Sequence, residues 1–146
     1  MMGEQLLFPL VDETLATVQA DDLEIPSFLF AITPEDGQTI IHCSYVSKHK
    51  YVNGGWMNIC VATYLENSDD PDEFTRIKLL NAYNVPLSPE RHFFSRGGER
   101  KEFTLIFPPL PKEWHSFDLM EHSRENNFEV YNIPRNESGV YHLRIS

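Results

Sequence analysis

The chain has 146 residues and a mass of 17.0 kDa, the length of one domain. Hydrophobic residues at 41% and charged residues at 23% exclude a wholly disordered chain. Twelve Lys and Arg against 22 Asp and Glu leave a net charge of −10, which repels phosphate backbones and anionic bilayers and so excludes a non-specific nucleic-acid or membrane-surface binder.

Residues 1–22 read as an acidic N-terminal arm and 23–146 as one β domain. Within the arm, 12–20 has helical character. The apolar run 6–11 is short, holds Pro9 and follows no basic residue, so it does not fit a signal peptide. No stretch approaches the ~18–20 apolar residues of a membrane span. A cytoplasmic location is therefore expected.

From residue 38 onward the hydrophobic period is two. Segment 38–47, with Ile40, Ile41, Cys43, Tyr45 and Val46, predicts a strand buried on both faces. Segment 56–65 predicts a second strand, with Met57, Ile59, Val61 and Leu65 on one face and Trp56, Cys60, Ala62 and Tyr64 on the other. Asn53, Gly54 and Gly55 between them form a structural turn and predict a tight hairpin. In that register Cys43 faces Tyr64 and Cys60 faces Ser47. The two thiols then stand about 13 Å apart, too far for a disulfide.

Asp70-Pro71-Asp72-Glu73 predicts a capped single turn, with proline in the first turn, ahead of an apolar segment at 76–82. Phe93-Phe94 and 103–107 flank Gly97-Gly98 and predict a second hairpin, with Phe103, Leu105 and Phe107 on one face and Thr104 and Ile106 on the other. Pro108, Pro109 and Pro111 then read as a rigid crossover between sheets rather than as a polyproline ligand. Strands follow at 117–121, 128–133 and 140–145, the last with Tyr141, Leu143 and Ile145 on one face. Strands at this spacing with turn chemistry between them predict an all-β sandwich or barrel with at most one or two short helical turns.

No catalytic or metal-binding constellation stands out. The histidines (His42, His49, His92, His115, His122, His142) lack zinc-ligand spacing, although His42 and His142 can meet across a sheet. Cys43 and Cys60 lie inside apolar alternation and read as core rather than as nucleophiles. Asp118 and Glu121 fall on opposite faces of a strand and form no dyad. The acidic run 67–73 lacks the glycine and terminal glutamate of a calcium loop and reads as a solvated loop. Asn136-Glu137-Ser138 matches a glycosylation sequon, which carries no weight without a secretory route. No cofactor is expected.

The stretches Tyr51-Val52-Asn53-Gly54-Gly55-Trp56 and, more strongly, Phe103-Thr104-Leu105-Ile106-Phe107-Pro108-Pro109-Leu110-Pro111-Lys112-Glu113-Trp114 leading into Phe117-Asp118-Leu119-Met120-Glu121 resemble immunoglobulin-like accessory domains of bacterial proteins. The resemblance spans residues 50–146. It implies an immunoglobulin-like antiparallel β-sandwich and no particular activity.

The expected function is a non-enzymatic protein–protein interaction module. Its partner is a protein, or a second copy in a homodimer, met through an edge strand or a loop end. Phe128, Val130 and Tyr131, in a segment with one charge and no basic gatekeeper, are the candidate interaction edge. Val130→Lys is expected to separate an edge from a central strand. Two alternatives stand beside this reading. One is an acidic inhibitor or immunity-type protein that binds a basic partner. The other is a ligand-binding or enzymatic barrel with a pocket among His42, Trp56, Tyr64 and His142.

Overall fold

The computed structural model describes residues 37–48, 54–121 and 128–145. The N-terminal arm, its helical segment and Asn53 lie outside the described residues. Ten strands run in chain order: β1 (Thr39–Val46), β2 (Trp56–Met57), β3 (Tyr64–Asn67), β4 (Ile77–Lys78), β5 (Asn81–Tyr83), β6 (His92–Phe93), β7 (Arg100–Phe107), β8 (Ser116–Met120), β9 (Glu129–Pro134) and β10 (Val140–Ile145). They form a sheet of order β10-β1-β7-β5, a second of order β4-β3-β8-β9 and a two-stranded ribbon β2-β6. The protein is all-β. Its strand pairs are antiparallel except that β1 and β10 run parallel.

The two four-stranded sheets face each other as a sandwich. Ile41, Cys43, Tyr45, Phe103, Leu105, Phe107, Tyr141, Leu143 and Ile145 of the first sheet share one core with Leu65, Phe117, Leu119, Val130 and Ile133 of the second. The rings of Phe117 and Tyr141 meet edge to face across the layers at 5.0 Å, a geometry worth about 0.5–1.5 kcal/mol beyond area burial. The second face of β1 is buried as well, with Ile40, His42 and Ser44 all at 5% exposure or less. The both-faces reading of 38–47 therefore holds.

The pairing partners differ from the two predicted hairpins. β1 does not pair with 56–65. It lies between β7 and β10, with Cys43 opposite Phe103 on one side and Leu143 on the other. β7, eight residues long, and β10, six residues long, flank it and take up its backbone on both sides. Nor is 56–65 one strand. It splits into β2 and β3 around a turn in which the Cys60 carbonyl accepts from both the N–H and the hydroxyl of Thr63 (3.0 and 2.7 Å). Val61, expected on one face with Met57, Ile59 and Leu65, is 61% exposed on that turn while those three are buried. β6 pairs with β2 rather than with β7, because both sides of β7 are taken by β1 and β5. The glycines around 97 instead bring the chain to β1, where the Gly98 N–H donates to the Ser47 carbonyl (2.9 Å).

Gly54 and Gly55 have φ of +77° and +71°. A Cβ on Gly54 would collide with the Arg96 carbonyl and stand 2.6 Å from the Phe94 Cβ, so this backbone conformation and this close approach both require glycine. The expected single turn is a 3-10 turn, Glu73–Thr75. Its cap is Asp72, whose carboxylate accepts from the Phe74 N–H (2.9 Å), and Pro71 stands outside the turn. After β4 the chain changes sheets within two residues. The Leu79 N–H donates to Thr63 of the second sheet's side and the Leu80 N–H to Ile106 of β7.

Segment 108–115 connects β7 in one sheet to β8 in the other. Leu110 and Trp114 are buried in the core cluster. The Arg135 guanidinium donates to the carbonyls of Pro111 and Trp114 (2.6 and 3.2 Å). Among the described residues no helix is long and apolar enough to cross a membrane.

Candidate functional site

β9 is the last strand of the second sheet, and β8 is its one ladder neighbour among the described residues. Phe128, Val130 and Ile133 all enter the core, at 1% exposure or less. That spacing breaks strict alternation, and a β-bulge reconciles it. Leu119 pairs with Val130 and Phe117 with Ile133, so Asp118 alone opposes both Tyr131 and Asn132. Asn132 takes the left-handed conformation at φ 58° that asparagine tolerates. Its N–H donates to Asp118 Oδ1 (2.8 Å), which also accepts from the Ser68 hydroxyl (2.6 Å). Asp118, read from the sequence only as half of an absent dyad, is thus the anchor that shapes the edge.

The Phe128 carbonyl accepts from the Glu121 N–H (3.1 Å) and so faces β8. Antiparallel alternation then turns the amide groups of Val130 toward β8 and those of Glu129 and Tyr131 outward. Of the three residues proposed as an interaction edge, Phe128 and Val130 commit their side chains to the core, and only Tyr131 stands half-buried at the surface. Val130→Lys would bury a charge in the core whichever role the edge plays, so it cannot separate the two. What the edge offers is backbone, framed by the side chains of Glu129 and Tyr131. Burial and the Glu129 carboxylate, hydrogen-bonded to the Tyr131 hydroxyl, push that phenol up to about 12.

The other sequence candidates sit elsewhere. His42 and His142 do meet, opposite each other on β1 and β10, with ring centroids 4.9 Å apart on the face of the first sheet away from the core. His42 Nδ1 bonds Thr104 Oγ1 at 2.8 Å. Burial, with His142 alongside, lowers its pKa to about 4, and burial lowers that of His142 also. Trp56 lies on the ribbon, 4.1 Å beneath the Arg91 guanidinium. Tyr64 lies on the outer face of the second sheet, 4.1 Å beneath Arg76. The residues expected around a barrel pocket therefore occupy three separate surfaces. A cleft of about 100 Å³ beside Thr39, Leu110, Arg135 and Tyr141 is well below the ~300–1,000 Å³ of small-molecule sites. Asn136 closes the turn at that cleft, its side chain bonded to the Val140 carbonyl and the Gly139 N–H (2.7 and 2.9 Å).

Cys43 and Cys60 are unpaired. Cys43 lies in the core, and burial pushes its thiol pKa up. The 67–73 run leaves β3 at Asn67 and enters the 3-10 turn at Glu73, and its residues 69–73 are exposed. Among the described residues no group of three or more His, Cys, Asp or Glu is placed to hold a metal ion. Glu121 carries a feature the sequence did not suggest. It is buried at 4% exposure, Oε2 accepts from the Cys60 N–H (2.9 Å), and Oε1 has no hydrogen-bond partner among the described residues. Burial raises its pKa to about 8 against the pull of its backbone hydrogen bonds.

No protein-family model, curated protein or solved structure matches the chain.

Proposed function

We propose that the chain is a non-enzymatic interaction module that captures an extended segment of a protein partner on β9. One observation carries this reading: among the described residues β9 ends its sheet, and the alternation set by the Glu121–Phe128 bond directs the amides of Glu129 and Tyr131 away from β8. Unpaired edge groups of this kind accept a further strand. β4 and β5, edges of the two sheets, are two and three residues long and offer little ladder. β10, the remaining edge among the described residues, is as long as β9 but carries Arg144, a basic gatekeeper of the kind that β9 lacks. The His42–His142 pair lies on the outer face of the first sheet, Cys43 in the core and Asp118 on the outer face of the second sheet, which supports a binding role over a chemical one. Two unpaired cysteines suit a reducing compartment and support a cytoplasmic setting.

The experiment is a proline substitution at an outward amide. Tyr131→Pro removes a donor that faces away from β8 and leaves the β8–β9 bonds in place. Affinity capture with parent and variant, read by mass spectrometry, is expected to show a partner held by the parent and lost by Tyr131→Pro. The variant should keep the parent's far-ultraviolet spectrum and denaturant midpoint. A partner retained by a folded Tyr131→Pro protein contradicts the edge reading.

A further inference from the structure

The outer face of the second sheet is polarised across its strands. One row runs Lys78, Tyr64, Met120, Glu129 from β4 to β9. The next sets Glu66 opposite Asp118, which in turn faces the bulge at Tyr131 and Asn132. The cations gather at the β4 end, where Arg76 is committed to Glu66 (3.3 Å) and to the Tyr64 ring. The carboxylates of Asp118 and Glu129 stand at the β9 end. Among the described residues no Lys or Arg is ion-paired with either of them. Arg135, the described cation nearest to Glu129 along the chain, turns its guanidinium to the carbonyls of Pro111 and Trp114.

A strand added to β9 lies about 4.8 Å beyond it and sets its outward side chains beside Glu129 and Tyr131. A carboxylate there repels Glu129 directly, since like charges opposite one another destabilise a sheet. A lysine or arginine supplies the sign that the β9 end of the row lacks, and its long stem covers the Tyr131 ring. The net charge of −10 adds long-range attraction of the same sign. Inward side chains of the same segment would continue the apolar layer of Phe128 and Val130 at the rim of the core.

We propose that the partner segment taken up by β9 is basic: an extended stretch in which apolar residues alternate with lysine or arginine. This inference rests on β9 being the capturing edge, and the test separates the two. Three peptides of about ten residues, alternating valine with lysine, with threonine or with glutamate, are titrated into the full chain while its amide resonances are followed. The lysine peptide is expected to shift Glu129 and Tyr131 and to bind about tenfold tighter than the threonine peptide at low salt. Its advantage should shrink as salt is raised, and Glu129→Gln should narrow it. The glutamate peptide should bind weakest.

Equal binding of the lysine and threonine peptides at β9 overturns the charge preference and leaves edge capture standing. Preference for the glutamate peptide overturns the charge preference outright. Peptide shifts confined to other strands, binding that survives in folded Tyr131→Pro protein, or binding by none of the three overturns edge capture and the charge preference with it. Should Tyr131→Pro fail to fold, Glu129→Pro blocks the same edge from the other outward amide.

Discussion

Glu121→Gln should make the protein more stable as pH rises. The carboxyl is buried, one oxygen is bonded to the Cys60 N–H and the other is without a hydrogen-bond partner among the described residues, so its ionised form is poorly solvated. Its pKa stands at about 8 in the folded protein against an ordinary 4.5. For an acid raised on folding, the folded state binds the proton more tightly. Its stabilising share is therefore complete below pH 4.5 and is lost as pH climbs to about 8. At 1.36 kcal/mol per unit, the loss reaches roughly 3 kcal/mol near pH 7, a large part of the ~5–15 kcal/mol of a typical domain. Glutamine keeps a carbonyl acceptor for Cys60 and never ionises. Urea unfolding of both proteins from about pH 5 to about pH 8 should show a gap of roughly 1 kcal/mol at the acid end that widens to roughly 3 at pH 7. Parallel stability curves would show that Glu121 is hydrated and the reasoning from its burial is wrong.

Acid should act through the other sheet. His42 is held to about 4 and His142 is lowered too, so the stability they contribute is present above the ordinary 6.5 and lost as pH falls toward 4. The His42 imidazole resonances should titrate near 4, and a midpoint near 6.5 would contradict the buried pair. Gly54→Val places a Cβ against the Arg96 carbonyl and Phe94 in a left-handed backbone, and should cost about 1–3 kcal/mol. An unchanged denaturant midpoint would refute that packing. In the native protein a thiol reagent should modify the half-buried Cys60 and spare Cys43 until unfolding. Equal rates at the two cysteines would contradict the placement of Cys43 in the core.

Strand content was legible where a single residue pattern decides it. Phe103, Leu105 and Phe107, and Tyr141, Leu143 and Ile145, point inward as their alternation requires. Pairing was less legible, because alternation fixes which face a residue takes and not which strand lies beside it. β1 pairs with β7 and β10, some 60 and 100 residues away. The break in 56–65 was hidden because the partners of 59 and 60 are remote: Ile59 bonds Pro86 and Ser88, and the Cys60 N–H is claimed by Glu121. At the candidate edge the signal was present in the sequence. Val130 and Ile133 are three apart in an otherwise two-residue rhythm, with Asn132 between them, and a bulge at an asparagine is the way both reach the core.

Backbone hydrogen exchange of β9 tests the edge most directly, and it needs no partner. In the isolated protein the amides of Glu129 and Tyr131 should exchange fast while that of Val130, bonded to β8, exchanges slowly, and addition of the alternating lysine peptide should slow the first two. Slow exchange at Glu129 and Tyr131 in the isolated protein, equal to that of Val130, would place β9 inside a sheet and contradict its role as a capturing edge.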